Sequence, residues 1–288
     1  MKNRLPARRV SFEGTSEAIK ENFLVRARNG LFNTPYPGYP TVRYVGSDPA
    51  QTVVPEGEWT LRNTHAKDLT DEQFAELKDS GIEINSAGDP IHPWLGDMVA
   101  DPQIGVVGGP GAYWNLGPNR CADNIPISRL YRRVLLIKRG DTGSWALAGG
   151  FRDGNTEDPF VAARRELIEE TRLSRFVRIL SKPVMIYAGI VADKRTTAIS
   201  WAHTHAIVTR PLLPWRHVRA NDDALSTQAQ LEIQNKQKWQ RLSKSTRIER
   251  KERAKWFKLD KLPDDFFGSH SILVDLARDY IDGNVIIG

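Results

Sequence analysis

Cysteine is almost absent from this 288-residue chain; there is one, Cys121. A single thiol closes no internal disulfide, and no Cys-x-x-Cys pair or His/Cys cluster offers a zinc site, so a reducing compartment suits the composition. Long apolar runs are missing too. VLLI at 134–137 falls far short of the ~18 residues of a membrane span and reads as a core strand. No internal repeat is evident, and the opening MKNRLPARRVSF is basic without the apolar stretch of a secretory signal. A cytoplasmic location without membrane association is expected, a mitochondrial presequence being the alternative reading of those basic residues. What is present suits a globular protein: 40% hydrophobic residues, a length that suggests about two domains, and a net charge of +6.

From Asn29 to Trp59 the chain is rich in Pro, Gly and Tyr, with short strand-like runs at Thr41–Val45 and Gln51–Val54. Asp68–Lys78 reads as a short helix with capping-box spacing between Thr70 and Gln73. The following stretch, to Arg129, is so rich in glycine and proline that no long element is expected; its aromatics and turns suit an ordered segment that approaches a ligand. The second half alternates strands and helices. Strands are read at 132–138, 145–148, 183–192, 200–208 and 255–259, with a polar, basic helical stretch from Trp215 to about Ala254 and a closing helix at Ser271–Ile281. Together these make an α/β sandwich preceded by a loop-rich N-terminal accessory domain, with the division at 1–125 and 126–288.

The segment WALAGGFRDGNTEDPFVAARRELIEETRL, Trp145–Leu173, organises the rest. Asp158 is a favoured N-cap and Pro159 suits the first helical turn, so a helix starts there. Glu166, Glu169 and Glu170 follow at i, i+3 and i+4, on one face, while Phe160, Ala163 and Leu167 form a separate apolar stripe. Three crowded carboxylates repel one another and suit a hard divalent cation such as Mg2+, although a solvated acidic face has the same pattern.

These residues resemble the Nudix box, the signature of hydrolases acting on a nucleoside diphosphate linked to another moiety. Gly150, Glu157, Arg165, Glu166, Leu167, Glu169, Glu170 and Leu173 match it. Six residues instead of five separate Gly150 from Glu157, and Arg172 replaces the last glycine, the residue best suited to a left-handed helix cap, at a cost of about 1 kcal/mol. Further stretches resemble the ADP-ribose pyrophosphatases, including the mitochondrial enzyme and the Nudix-like domain of a melastatin-type calcium channel. They are PYPG at 35–38, WNLGPNRCADNIPISR at 114–129, MIYAGIVADKRTTAISW at 185–201 and GSH at 268–270. In the third, Ala198 and Ile199 replace an Asp-Asn pair of the family pattern.

The resemblance implies a Nudix α/β/α sandwich and Mg2+-dependent cleavage of ADP-ribose to AMP and ribose 5-phosphate, with Mn2+ able to substitute. It assigns Glu166, Glu169, Glu170 and the Gly149 carbonyl to the metal. Glu170 is the first choice to activate the water, with Glu169 beside it, and Arg165 pairs with a glutamate of its own helix. Trp114, Asn119, Asp123, Arg129, Asp193, Arg195 and His270 are candidates for substrate contact. Turn and helix-capping roles are the alternatives for several of them, and His203 and His205 read as strand packing. Cleavage of a dinucleotide or capped RNA, or silent sensing of ADP-ribose, are the rival functions. A monomer that binds a small nucleotide rather than nucleic acid is expected. The basic run from Lys236 to Lys255, which the family pattern does not supply, reads as a solvated helical insertion.

Overall fold

The computed structural model describes residues 8–9, 12–29, 69–85, 88–104, 113, 115–154, 156–173, 182–215, 218–236 and 241–286. The expected strands at 41–45 and 51–54 and the candidate Trp114 lie outside them. The first half holds β1 (Arg8–Arg9), α1 (Phe12–Arg28), α2 (Asp71–Asp79) and α3 (Leu95–Ala100). Next come β2 (Gly117–Pro126), β3 (Arg133–Lys138), β4 (Trp145–Ala146), β5 (Ala148–Phe151) and α4 (Pro159–Thr171). After β6 (Val184–Ile190) and β7 (Ser200–Thr209), a 3-10 turn (Asp222–Ala224) leads to α5 (Thr227–Asn235) and α6 (Lys244–Glu252). The described chain closes with β8 (Ala254–Lys258), α7 (His270–Asp282) and β9 (Val285–Ile286).

Contacts divide this mixed α/β chain into two units, neither continuous in sequence: 1–12 with 121–188 and 205–288, and 13–120 with 189–204. Four strands run in the order β5-β2-β7-β6 and three in the order β4-β3-β8. Antiparallel pairing sets Asp123 opposite Gly149 and Ala122 opposite Gly150. Helix α4 follows the apolar stripe read from the sequence. Ala162 and Ala163 pack with Ala122 and Ile207, while Leu167 packs with Leu135 and Ala148, so one helix serves both sheets. Alanine at those positions lets the helix axis come close to the strands. Asp158 caps α4 through Phe160 N and Val161 N, and Pro159 occupies the first turn as expected.

The other unit gathers Phe23, Ala27, Leu95, Met98, Ala192 and Ala198 into a core of its own. The expected capping box closes the start of α2, where Gln73 N donates to Thr70 Oγ1 and Thr70 N to Gln73 Oε1. His92 is buried in an aromatic box, its ring centroid 5.5 Å from Phe23, 5.7 Å from Trp94 and 5.0 Å from Trp201. Desolvation there pushes its imidazole down to about 3, and Trp94 N donates to its Nδ1.

One expectation fails and another is refined. The glycine- and proline-rich stretch contains a ten-residue strand, β2, because Pro118 and Pro126 stand at its ends, where a missing N–H is tolerated. The basic stretch is not one helix. α5 ends at Asn235, and α6 begins at Lys244 behind the cap Ser243, whose hydroxyl accepts from Thr246 N. Among the described residues no helix is long and apolar enough to cross a membrane.

Candidate functional site

Helix α4 and strand β5 meet through two glycines. A Cβ built on Gly150 would stand 2.6 Å from the carboxyl carbon of Glu166, and one on Gly149 would stand 2.8 Å from the Ala122 carbonyl and against Asp123 Oδ1. Hydrogen at Gly150 lets the Glu166 carboxylate lie against the strand, and hydrogen at Gly149 lets β5 sit close against β2. Gly149 N then donates to Glu170 Oε2 at 2.9 Å.

Desolvation pushes the Glu170 carboxyl up to about 8, with Glu166 and Asp123 adding repulsion against the opposing pull of the Gly149 N–H and Arg139. Glu166 is raised for the same leading reason, partly offset by Arg165. At Glu170 the Gly149 N–H and Arg139 do not offset the desolvation. A cavity of about 270 Å³ lies beside Glu170, lined also by Arg139, Asp141 and Asn221.

Arg165 is the cation already in place. Its Nη1 reaches Glu166 Oε1 at 2.6 Å and Glu169 Oε2 at 3.4 Å, Nε and Nη2 grip both oxygens of Glu157, and Nη2 also donates to the Phe151 carbonyl. Two of these partners lie on its own helix, and Glu157 ties it to the longer loop. Among the described residues no three acidic, histidine or cysteine side chains converge as a metal-holding group. The donors nonetheless fit a hard divalent cation, being carboxylate oxygens in a desolvated setting with space that a Cβ would fill. Glu166 and Glu170 supply that setting, while Glu169, with about half its side chain exposed, stands at the rim.

Asp123, buried on β2, faces His270 Nε2 at 3.8 Å. His270 opens α7, and its Nδ1 accepts from Leu147 N, which ties that helix to the β4–β5 junction; the capping position belongs to Ser269. Gly149, Glu166, Glu170, Asp123 and His270 thus stand within one unit. Arg129 is exposed in the turn after β2. Asn119, Asp193 and Arg195 belong to the other unit. Asn119 exchanges hydrogen bonds with the Asn115 backbone and donates to the Gly117 carbonyl. Arg195 grips Asp193 through its backbone N–H, Nε and Nη2 and lies 5.2 Å from the Tyr113 ring centroid. His205 Nδ1 lies 3.3 Å from the Cys121 carbonyl.

Sequence reasoning missed Arg139, whose guanidinium sits 4.1 Å from the Phe267 ring centroid and pairs with Asp141. It stands just after β3, and no motif marks it. The end of α4 was legible. Arg172 adopts the left-handed cap conformation, φ 50°, where the sequence lacks glycine, and its Nη2 reaches Asp222 Oδ2 at 2.6 Å. Arg219 N and Asn221 N donate to the Thr171 and Glu170 carbonyls, satisfying two acceptors of the last turn.

Residues 119–217, about a third of the chain, match the NUDIX domain. No curated protein matches the sequence. The fold is similar to that of a MutT NUDIX hydrolase from Burkholderia pseudomallei, with 21% identity over 55% of this chain and 97% of that one and a TM-score of 0.36. It is also similar to the NUDIX domain of NrtR from Shewanella oneidensis, solved with ADP ribose, with 19% identity over 65% and 97% and a TM-score of 0.35. A bifunctional NMN adenylyltransferase/ADP ribose pyrophosphatase from Francisella tularensis shows 17% identity over 56% of this chain and 41% of that one, with a TM-score of 0.35.

Proposed function

We propose that the Nudix domain hydrolyses the pyrophosphate of a nucleoside diphosphate derivative, ADP-ribose first, with a divalent cation. The observation that carries this is the desolvated carboxylate pair Glu166 and Glu170, fitted against Gly149 and Gly150. A bound Mg2+ would neutralise pyrophosphate oxygens and acidify a water. In this reading Glu166, Glu169 and Glu170 hold the cation together with the Gly149 carbonyl. Glu170 takes the proton of the attacking water as its oxygen bonds to phosphorus and the bridging P–O bond breaks. Water and ADP-ribose then give AMP and ribose 5-phosphate.

A carboxyl pushed up to about 8 is a strong base for its kind, yet it holds a proton at neutral pH unless a nearby cation offsets the desolvation. Cation binding and proton release are therefore linked at Glu170. Preference for ADP-ribose rests on the sequence resemblance in the stretches flanking the box. A second reading, binding without turnover, draws on Arg165, which already occupies Glu166 and Glu169.

The deciding experiment follows ADP-ribose, a diadenosine polyphosphate and capped RNA side by side with Mg2+, then with excess EDTA. AMP and ribose 5-phosphate should appear from ADP-ribose and stop with chelator, and Glu170→Gln should slow turnover by roughly a hundredfold or more. Turnover undiminished in EDTA would sink the cation mechanism, and binding of ADP-ribose with no product would favour the sensor.

A further inference from the structure

The insertion between β7 and β8 contains a cavity of about 530 Å³, in which seven of the nine lining residues are Lys or Arg and two, Leu242 and Ile248, are apolar. Three of the cations stand on one face of α6: Lys244, Arg247 and Lys251 occupy i, i+3 and i+7, with Ile248 at i+4. Arg219, Lys236 and Arg241 line it from outside that helix, and Arg250 completes the set. Among the described residues no acidic side chain stands in the lining.

Three acids of the insertion already have partners. Glu232 accepts from Ser243 N at 2.5 Å, from Ser243 Oγ at 2.8 Å and from the Thr246 hydroxyl. Glu249 accepts from Ser226 N and Oγ at 2.7 and 2.9 Å and pairs with Arg253. Asp222 takes Arg250. Like charges this close repel; Asp222 pairs with Arg250, but the lining itself holds no described acid, so the arrangement favours an anion.

We propose that this cavity binds a compact polyphosphate, separately from the carboxylate cluster on α4. Four of its cations are arginines, whose planar forks match phosphate oxygens two at a time. Its volume falls in the range of small-ligand sites, whereas a nucleic-acid groove must track a backbone over several nucleotides. This replaces the expectation that the basic run is merely solvated.

The test titrates inorganic tripolyphosphate into the full chain by calorimetry, at low salt and in excess EDTA so that no cation-dependent pyrophosphate binding intrudes. One saturable site per chain is expected, and it should weaken as salt is raised. The variant K244Q/R247Q/K251Q, altered at exposed positions, should melt like wild type, bind roughly tenfold or more weakly and keep its Michaelis constant for ADP-ribose. E166Q/E170Q should bind tripolyphosphate as wild type does. No saturable binding, equal binding by the triple variant, or loss of binding in E166Q/E170Q would overturn the proposal. So would a tenfold rise in the triple variant's Michaelis constant, which would make these cations part of the substrate site. A single-stranded oligonucleotide that tripolyphosphate fails to displace would likewise overturn it, in favour of a nucleic-acid surface.

Discussion

The carboxylates of α4 and the cations of α6 are both clusters of one sign spaced along a helix face, and the fold treats them in opposite ways. Glu166 and Glu170 are drawn against a glycine strand and desolvated, so their proton affinity rises. Lys244, Arg247 and Lys251 stay exposed around an open cavity. Spacing alone creates a field. Desolvation turns it into a group that exchanges protons, whereas exposure leaves an electrostatic surface whose strength depends on salt.

The largest effect that would sharpen this contrast is the pH dependence of stability in cation-free protein. Glu170 is raised in the folded state to about 8 from 4.5, so above 4.5 the unfolded chain gives up a proton that the native chain keeps. Its contribution therefore erodes stability as pH rises through that window, by at most about 1.4 kcal/mol per pH unit, the limit for a single proton, and by less because part of the residue still meets solvent. Urea melts between pH 5 and 8 should show a flatter profile for Glu170→Gln than for wild type, with K244Q/R247Q/K251Q unchanged in slope. Parallel profiles for all three proteins would erase the distinction between the clusters.

Next in size is the glycine pair. Gly149→Ala sets a methyl against the Ala122 carbonyl at 2.8 Å, a backbone atom on a paired strand, and should cost about 1–3 kcal/mol. Gly150→Ala meets the Glu166 side chain at 2.6 Å, which can swing away. It should therefore destabilise less than Gly149→Ala while still lowering turnover, as denaturant melts and initial rates would show. Equal stability losses would mean that Glu166 is held as rigidly as the strand.

The site's helix was legible in the sequence because its information is local. Asp158 and Pro159 fix the start, and the glutamate spacing fixes the face. Thr70 and Gln73 announced α2 for the same reason. Strand β2 was hidden because proline and glycine counts say nothing about whether those residues fall inside an element or at its ends. Strand register, which no motif encodes, brought Asp123 opposite Gly149. Arg139 and the basic cavity were illegible because their parts come from separate segments and only folding assembles them.

The smallest prediction concerns Arg172 at the end of α4. Arg172→Gly relieves the left-handed conformation but loses the ion pair with Asp222, so its net change should stay within about 0.5 kcal/mol of wild type. Arg172→Ala loses the pair and keeps the strain. The glycine variant should therefore be the more stable of the two by about 1 kcal/mol in thermal melts, and a reversed order would show that the left-handed conformation is not what this cap costs.

Asp222 answers to two cations at once: Arg172, which ends the glutamate helix, and Arg250, which lines the basic cavity. The backbone beside it is shared in the same manner, with Arg219 and Asn221 bonded to the last turn of α4 and Ala220 N bonded to the Arg250 carbonyl at 2.8 Å. Four consecutive residues therefore form a brace between two helices of opposite charge. A molecule that draws Arg250 away would leave Asp222 to Arg172 alone, and a shift at the end of α4 would be felt at Arg250. Any such coupling is reciprocal by thermodynamic necessity, so occupancy at either end would change affinity at the other by the same factor.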